Sequence, residues 1–197
     1  MTPKRKERVE EDEPTLLARV AAKDRRAFEA LYQRYYSRLF SYLFKITRRP
    51  EMVEELVNDV MLVVWEKAAK YDGVSKPSSW ILGIAYRKAL KALERAGRRQ
   101  REGLGGPPPT PPEGPERLMV RREMASTLGR ALAGLSAEQR AVVELTYYFG
   151  YSYPEIAEII SCPVNTVKTR MFYALRRLRD AVPELKDSFR NQGATPL

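Results

Sequence analysis

The side chains that could do chemistry cluster in a basic segment near the end of the chain. Their spacing places polar, cationic and aromatic groups on the outer faces of a helix. They are Asn165, Thr166, Lys168, Thr169, Arg170, Phe172, Tyr173, Arg176 and Arg177. Arg and Lys can donate to guanine O6 and N7, Asn suits adenine, and Thr or Phe can touch the thymine methyl group. The segment therefore predicts a helix that reads duplex DNA, with a solvated basic face as the alternative.

The elements before this segment support the DNA interpretation. A short helix is predicted over 154–160, followed by a break at Ser161–Pro163 and then the basic helix over 165–179. A short helix, a tight turn and a basic second helix form the helix-turn-helix pattern, in which the second helix enters the major groove. The amide groups at the start of that helix, at Asn165 and Thr166, can hold a phosphate.

A second basic region mixes cations with aromatic rings. Tyr71, Trp80 and Tyr86 lie near Lys76, Arg87 and Lys88 in the sequence. Single-stranded bases stack on aromatic faces, and cations attract their phosphates, so this region is a second candidate for nucleic acid. Two simpler interpretations stay open: Trp80 as a core residue, and the basic run over 95–101 as a solvated helix end.

An acidic helix face interrupts the basic background. It consists of Glu51, Glu54, Glu55, Asn58 and Asp59, opposite an apolar face that begins at Val53. Such a face would repel DNA, so it indicates either a solubilising surface or a docking surface for a basic protein. Carboxylates on the outside of a helix, without a partner histidine, do not favour catalysis.

Composition excludes several classes of site. The chain has 197 residues, a formal net charge of +10, one cysteine and no histidine. Imidazole-based metal sites, Ser-His-Asp and Cys-His catalysis and an intramolecular disulfide are therefore impossible, and we expect no metal and no cofactor. No apolar run is long enough to cross a membrane, and the N-terminus lacks a signal-peptide core, so we expect a cytoplasmic protein without membrane insertion. The positive charge favours a polyanionic partner.

Helical periodicity dominates both halves of the chain, and the sequence predicts an all-α fold of two small helical domains. Ten of the 14 residues in 103–116 are Pro or Gly, which predicts a semi-rigid linker over 102–116. The domains are then residues 20–101 and 117–183, the second containing the helix-turn-helix. Residues 1–19 are predicted to be a disordered tail and residues 184–197 a flexible one.

Residues typical of helix N-termini predict where several of the helices begin. Asp24 and Pro77 are predicted to begin two helices of the first domain. In the second domain, Ser136 with Gln139 and Ser152 with Glu155 have the spacing of capping boxes. A further helix is expected over about 117–133.

With these motifs in place, the chain resembles the extracytoplasmic-function (ECF) group of bacterial RNA polymerase sigma factors, in the sigma-70 superfamily. The segment EELVNDVMLVVWEKAAKYDG resembles the polymerase-docking helix of the group, and KPSSWILGIAYRKALKALERAGRRQR its promoter-melting region. The segment LSAEQRAVVELTYYFGYSYPEIAEIISCPVNTVKTRMFYALRRLR resembles its −35-reading domain. The similarity covers most of the chain and keeps the order and spacing of these parts.

The resemblance implies roles for individual residues. The residues expected to contact the −35 element are Asn165, Thr166, Lys168, Thr169, Arg170, Phe172, Tyr173 and Arg176. Those expected to capture the −10 element are Tyr71, Asp72, Lys76, Ser79, Trp80, Arg87, Lys88, Lys91 and Arg95. Those expected to dock on polymerase are Glu51, Glu54, Glu55, Asn58 and Asp59.

The expected function is therefore that of a sigma factor, which binds core RNA polymerase, recognises duplex −35 and melted −10 DNA and starts transcription, in response to a stress or envelope signal. An anti-sigma factor is expected as a further partner by resemblance alone. The alternative is an autonomous helix-turn-helix regulator that binds a palindromic site as a dimer. An enzyme is a third class, which the missing histidine and the lack of a phosphate-binding loop disfavour.

Overall fold

The computed structural model describes residues 11–102, 122 and 126–181 of the chain. Within these residues it contains α-helices joined by turns and no strand, which confirms the all-α prediction. The helices are α1 Glu13–Ala21, α2 Arg25–Thr47, α3 Val53–Lys67, α4 Pro77–Arg101, α5 Thr127–Ala133, α6 Ala137–Tyr147, α7 Tyr153–Ile160 and α8 Val164–Ala181. Short 3-10 turns at Pro50–Met52 and Ala68–Lys70 flank α3. We call α1–α4 the first lobe and α5–α8 the second lobe.

Side chains cap the predicted helix starts. Asp24 accepts hydrogen bonds from the backbone of Arg26 and Ala27 at the start of α2, and α4 begins at Pro77 as predicted. Ser136 with Gln139, and Ser152 with Glu155, form both predicted capping boxes. These contacts satisfy amide groups that a helix start leaves unpaired, and each cap stabilises its helix by about 1 kcal/mol.

The predicted disordered tail over 1–19 is wrong for its last third. Asp12 caps α1, and the helix buries Leu16, Leu17 and Val20 against the rest of the first lobe. Three apolar residues at spacings of one and three are enough to anchor a two-turn helix, and the charged surroundings in the sequence obscured them. Residues 1–10 lie outside the described part of the chain.

Amphipathic faces build the core of the first lobe. The predicted apolar face of α3, from Val53 to Val64, is buried, and it packs between α2 and α4. On α2, Leu31, Tyr35 and Leu39 are buried at helical spacing. The acidic side of α3 is left facing outward, because a helix can bury only one stripe.

The second lobe packs α8 across α6 and α7 through Val167, Met171, Ala174 and Leu178, which are buried. Of the helix predicted over about 117–133, the described residues are Arg122, which is helical, and 126–133, which contain α5. The predicted linker beyond Glu102 and the predicted tail over 184–197 lie outside the described residues.

The two lobes pack against each other, with α2 on α6 and α4 on α7. At Gly83 in α4 the second pair is in close contact: a Cβ atom at this position would lie 2.8 Å from the carbonyl oxygen of Ile159. Only glycine permits such a close approach of two backbones. None of the helices in the described residues is long and apolar enough to span a membrane.

Candidate nucleic-acid and polymerase interface

Helix α8 presents an exposed aromatic pair. The side chains of Phe172 and Tyr173 are 63% and 49% exposed, with ring centroids 5.4 Å apart in an edge-to-face arrangement. Large apolar rings on a surface are costly unless a partner covers them, and they are typical of interaction sites. Lys168, Thr169 and Arg176 are exposed on the same helix. Together they form a surface with both the charge and the apolar contacts that base edges require.

Not all of the predicted −35 residues are equally free. Asn165 is exposed, whereas Thr166 and Arg170 are half-buried. The guanidinium of Arg170 donates to the hydroxyl of Tyr86 in the first lobe, at 3.4 Å. Arg170 is therefore turned toward the other lobe in this conformation.

The turn between α7 and α8 has a defined backbone geometry. Ser161 ends α7 in the left-handed region, with φ of 53°, and the amide of Cys162 donates to the carbonyl of Ala157 at 3.0 Å. This arrangement satisfies carbonyls at the end of α7 and redirects the chain into α8 within a few residues. It confirms the predicted break at Ser161–Pro163.

In the predicted −10 region, Tyr71 and Trp80 form an aromatic pair. Their ring centroids lie 5.4 Å apart, and the hydroxyl of Tyr71 donates to the carbonyl of Ser75. Trp80 also lines an open cavity of about 260 Å³ between α3 and α4. The cations at this cavity are Lys67, Arg87, Lys88 and Lys91. A half-buried indole beside four cations provides a stacking face and phosphate attraction in one place.

The remaining members of the −10 set lie in different surroundings. Asp72 accepts a hydrogen bond from the amide of Val74, and Lys76 and Arg95 are exposed. Ser79, by contrast, is only 6% exposed, because α7 packs over the start of α4. In this conformation Ser79 is not accessible to DNA.

The acidic face of α3 is not an isolated surface, because it forms one side of a groove. A groove of about 600 Å³ runs between α3 and α4, with Glu55 and Asp59 on one side. Its other wall is basic, formed by Lys88, Lys91, Arg95, Arg98 and Arg99. Lys88 and Asp59 pair across it at 2.9 Å. Met52 and Leu56 supply apolar surface, so the groove offers both charges and a hydrophobic floor.

Asn58, another member of the predicted docking set, has a structural partner. Asn58 accepts a hydrogen bond from the hydroxyl of Tyr32 at 2.8 Å, which ties α3 to α2. Glu54 and Glu55 are exposed on α3, and Glu51 lies in the 3-10 turn before it. The groove adds Met52, Arg98 and Arg99 to this region. The two arginines belong to the basic run over 95–101, whereas no sequence signal distinguished Met52.

Buried charges between the lobes are the main feature that sequence reasoning missed. Arg140 in α6 is 8% exposed and donates to the carbonyl of Ile46 at 2.9 and 2.6 Å, and to that of Leu135. Burial lowers the pKa of its guanidinium to about 10, so it stays charged at neutral pH. Arg140 caps the negative end of α2 from the other lobe.

Among the described residues, no group of His, Cys, Asp or Glu is arranged to hold a metal ion.

Glu155 takes part both in the capping box of α7 and in an ion pair with the first lobe. Its carboxylate accepts from Lys76 at 2.9 Å and from the backbone and hydroxyl of Ser152. The Lys76 ammonium and the Ser152 donors lower the pKa of this carboxyl to about 2. A lowered acid pKa means that the stabilisation is complete above about pH 4.5 and is lost as the pH falls toward 2.

The expected result is that Glu155→Gln lowers the melting temperature at pH 6 and has a much smaller effect near pH 2. Gln can still close the capping box but cannot pair as an anion with Lys76. Thermal melts of both proteins across this range measure the difference, with Glu158→Gln, an exposed position on the same helix, as the control. A Glu155→Gln difference that stays constant with pH would contradict this assignment.

Comparison with known families agrees with this geometry. Residues 31–99 match the model of sigma-70 region 2, and residues 126–178 match that of sigma-70 region 4. The chain is 32% identical over 179 residues to "ECF RNA polymerase sigma factor SigK" of Mycobacterium sp. strain KMS, with 87% of this chain and 91% of the relative covered. It is 31% identical over 180 residues to the protein of the same name in Mycobacterium tuberculosis strain ATCC 25177 / H37Ra, with 89% and 96% covered.

Solved structures give the same result for the fold. CnrH in complex with the cytosolic domain of CnrY matches with a TM-score of 0.61 at 25% identity, over 84% of this chain and 94% of that chain. The sigma factor RpoE in complex with the anti-sigma factor NepR, from Bartonella quintana, matches with a TM-score of 0.62 at 21% identity, over 78% and 95%. The chain therefore belongs to the ECF group of RNA polymerase sigma factors, with regions 2 and 4 of the sigma-70 family in its two lobes.

Proposed function

We propose that this sigma factor works as a dissociable subunit of RNA polymerase, which it directs to promoters by reading a −35 element with α8 and a melted −10 element with the Trp80 cavity. The observation that supports this most directly is the exposed side of α8, where two aromatic rings and three polar or basic residues face outward from an anchored helix. The chain itself carries out no covalent chemistry: recognition is its contribution, and nucleotide addition belongs to the polymerase.

The α3–α4 groove is the proposed docking site on polymerase. It combines exposed carboxylates, a basic wall and an apolar floor, which together suit a helical partner segment that carries basic side chains on one side, acidic side chains on the other and apolar side chains between them. Its acidic members, Glu55 and Asp59, would repel DNA, whereas its basic wall includes Lys88, Lys91 and Arg95 of the −10 set. The proposed docking site and the proposed −10 surface therefore border each other along α4.

The −10 strand is proposed to enter the cavity beside Trp80. Taking a base out of the duplex costs a few kcal/mol, and stacking on an aromatic ring returns about 1–3 kcal/mol per base. Arg87, Lys88 and Lys91 would hold the phosphates of that strand. The cost of unstacking and the gain from stacking are nearly equal, so capture of the base requires both the stacking on Trp80 and the binding of polymerase.

Two further assignments follow from the relatives. One of the solved structures above contains the sigma factor RpoE bound to the anti-sigma factor NepR, and the other contains CnrH bound to the cytosolic domain of CnrY. We therefore propose that an anti-sigma factor also controls this chain, and that the protein acts in the cytoplasm, where RNA polymerase is.

Reconstituted transcription tests the proposal. Core polymerase together with this chain should initiate at a subset of genomic promoters at which core polymerase alone does not. If no genomic promoter is used, the proposed function is wrong.

The −35 assignment has its own test in Lys168→Ala. Loss of one phosphate contact should weaken duplex binding for all sequences and reduce the slope of log K against log salt by about 1. Arg177→Ala is the matched control, because Arg177 lies nine residues on, about 180° around the helix, and contacts Gly134 and Gln139 within its own lobe. An unchanged slope for Lys168→Ala would remove Lys168 from the contact surface.

A further inference from the structure

The cavity beside Trp80 combines an apolar part with a cationic part. Its apolar surfaces are the indole of Trp80, the buried side chain of Ile84 and Val63 of α3. Its cations are Lys67, Arg87, Lys88 and Lys91. The cavity therefore has the two kinds of surface that a nucleotide requires, one for a base and one for phosphates.

The groups at the cavity are spread along α4 rather than gathered at one point. Lys91 follows Trp80 by three turns, which is about 16 Å along the helix axis at about 1.5 Å per residue. Arg87 and Lys88 lie between them on the same side of the helix. An elongated ligand with its ring on Trp80 would thus meet several cations in succession.

Most of these cations lack a partner in the protein. Among the described residues, no carboxylate pairs with Lys67, Arg87 or Lys91. Lys88 pairs with Asp59 at 2.9 Å, on the side of the α3–α4 groove. Positive charges around one small cavity repel one another, so an anion that neutralises several of them at once is favoured.

A DNA strand matches this charge distribution only in part. A strand carries one phosphate for each base, so the nucleotide that stacks on Trp80 supplies little of the negative charge that the cations can accept. A nucleoside polyphosphate joins several phosphates to one base in a short chain. Its base could stack on the indole while its phosphates neutralise the cations further along α4.

The side chains at the cavity can neutralise phosphates without a metal ion. Mg²⁺ is typically held at phosphate sites by one or two carboxylates, and none of the described residues that line this cavity is acidic. The guanidinium of Arg87 can instead bind a phosphate through two parallel hydrogen bonds, and the lysines act as point charges. The ligand that fits is therefore the metal-free polyphosphate.

We propose that the Trp80 cavity binds a free nucleoside polyphosphate, with the base against the indole and the phosphates on the cations of α3 and α4, and that this ligand competes with the −10 strand. The competition rests on the proposed −10 role of the cavity, whereas the binding itself does not. Free nucleotide would thereby reduce promoter opening by this sigma factor.

Three probes separate the contributions of the base and the phosphates. They are ATP, AMP and inorganic tripolyphosphate, each titrated calorimetrically into the full chain in Mg²⁺-free buffer at one ionic strength. ATP should bind about 5- to 150-fold more tightly than tripolyphosphate, as expected for stacking of one base on one ring. It should bind at least about tenfold more tightly than AMP, which lacks the outer phosphates and their charge-assisted hydrogen bonds.

Lys67→Ala with Arg87→Ala tests the location of the site. Both side chains are exposed at the cavity, so the double change should leave the fold intact and reduce ATP affinity by at least about tenfold. The matched control is Arg25→Ala with Arg26→Ala, which removes two exposed cations at the start of α2 and changes the net charge equally. Neither control residue lines the cavity, so the control should bind ATP as wild type does.

Displacement of a DNA strand tests the competition. The strand is a fluorescein-labelled single strand from a promoter that the reconstituted holoenzyme uses, bound to the full chain alone. ATP should displace it over the concentration range in which calorimetry shows ATP binding. AMP should require a concentration at least about tenfold higher, in line with its weaker binding.

Several outcomes would overturn the proposal. They are no binding of ATP, equal affinity for ATP and either of the other two probes, equal loss of affinity in the cavity variant and the control, or a strand that stays bound when ATP is bound. Failure to initiate transcription at any promoter would instead overturn the proposed function. It would leave the calorimetric result intact, because that measurement uses neither polymerase nor promoter.

Discussion

Replacing Glu55 and Asp59 together by Lys is expected to weaken binding to core polymerase by at least about thirtyfold. Both carboxylates border the α3–α4 groove, which is the proposed docking site. Removing one partner of a desolvated charge pair at an interface costs about 2–5 kcal/mol, and a reversed charge adds repulsion. The double change also leaves Lys88 beside a new cation, because Lys88 pairs with Asp59 in the native protein.

The matched control is Glu29→Lys with Glu66→Lys. Both residues are exposed, on α2 and at the far end of α3, and the change in net charge is the same. Fluorescence titration with core polymerase should show a large loss for the groove variant and a small one for the control. If the groove variant instead loses −35 duplex binding and keeps polymerase binding, the groove is not the docking site.

Replacing Trp80 by Ala should reduce open-complex formation by about 5- to 150-fold. The indole is the stacking face of the proposed −10 cavity, and such stacking contributes about 1–3 kcal/mol per base. Permanganate footprinting on a duplex promoter measures the strand opening. A template with a premelted −10 region should restore part of the activity, since the energetic cost of unstacking has already been met.

Trp80→Phe is the control for this prediction, because a phenyl ring keeps the stacking face and part of the contact with Tyr71. We expect it to retain much of the activity. Thermal melting of both variants separates a loss of strand capture from a loss of folding. Equal promoter opening by wild type and a folded Trp80→Ala protein would show that the ring is a core residue only.

Much of the fold was predictable because helix signals are local. Asp24 and the serines of the two capping boxes lie within three residues of the groups that they cap, and Pro77 is itself the first residue of α4, so their roles can be recognised directly from the sequence. The apolar face of α3 repeats at helical spacing for the same reason. Helix α1 was missed because only Leu16, Leu17 and Val20 mark it, within a strongly charged segment.

The candidate site was predictable in part. The apolar residues of α8 repeat at helical spacing, which predicts which side of the helix faces outward. Phe172 and Tyr173 lie on that side and are exposed. The same reasoning could not show that α7 covers Ser79, or that Arg170 turns toward Tyr86. Those contacts join residues more than 70 positions apart, and a local pattern contains no information about such pairs.

The amino-acid sequence by itself determined the helices, their caps, the basic and acidic faces and the membership of the sigma family, because each depends on residues within a few turns of one another. The tertiary structure alone decided which of those faces are free. It placed Asp59 against Lys88 across a groove, buried Arg140 at the end of α2, and brought α7 onto α4 at Gly83. Each of these contacts requires two backbones to meet at a particular distance, and that distance is set by the packing of the whole core.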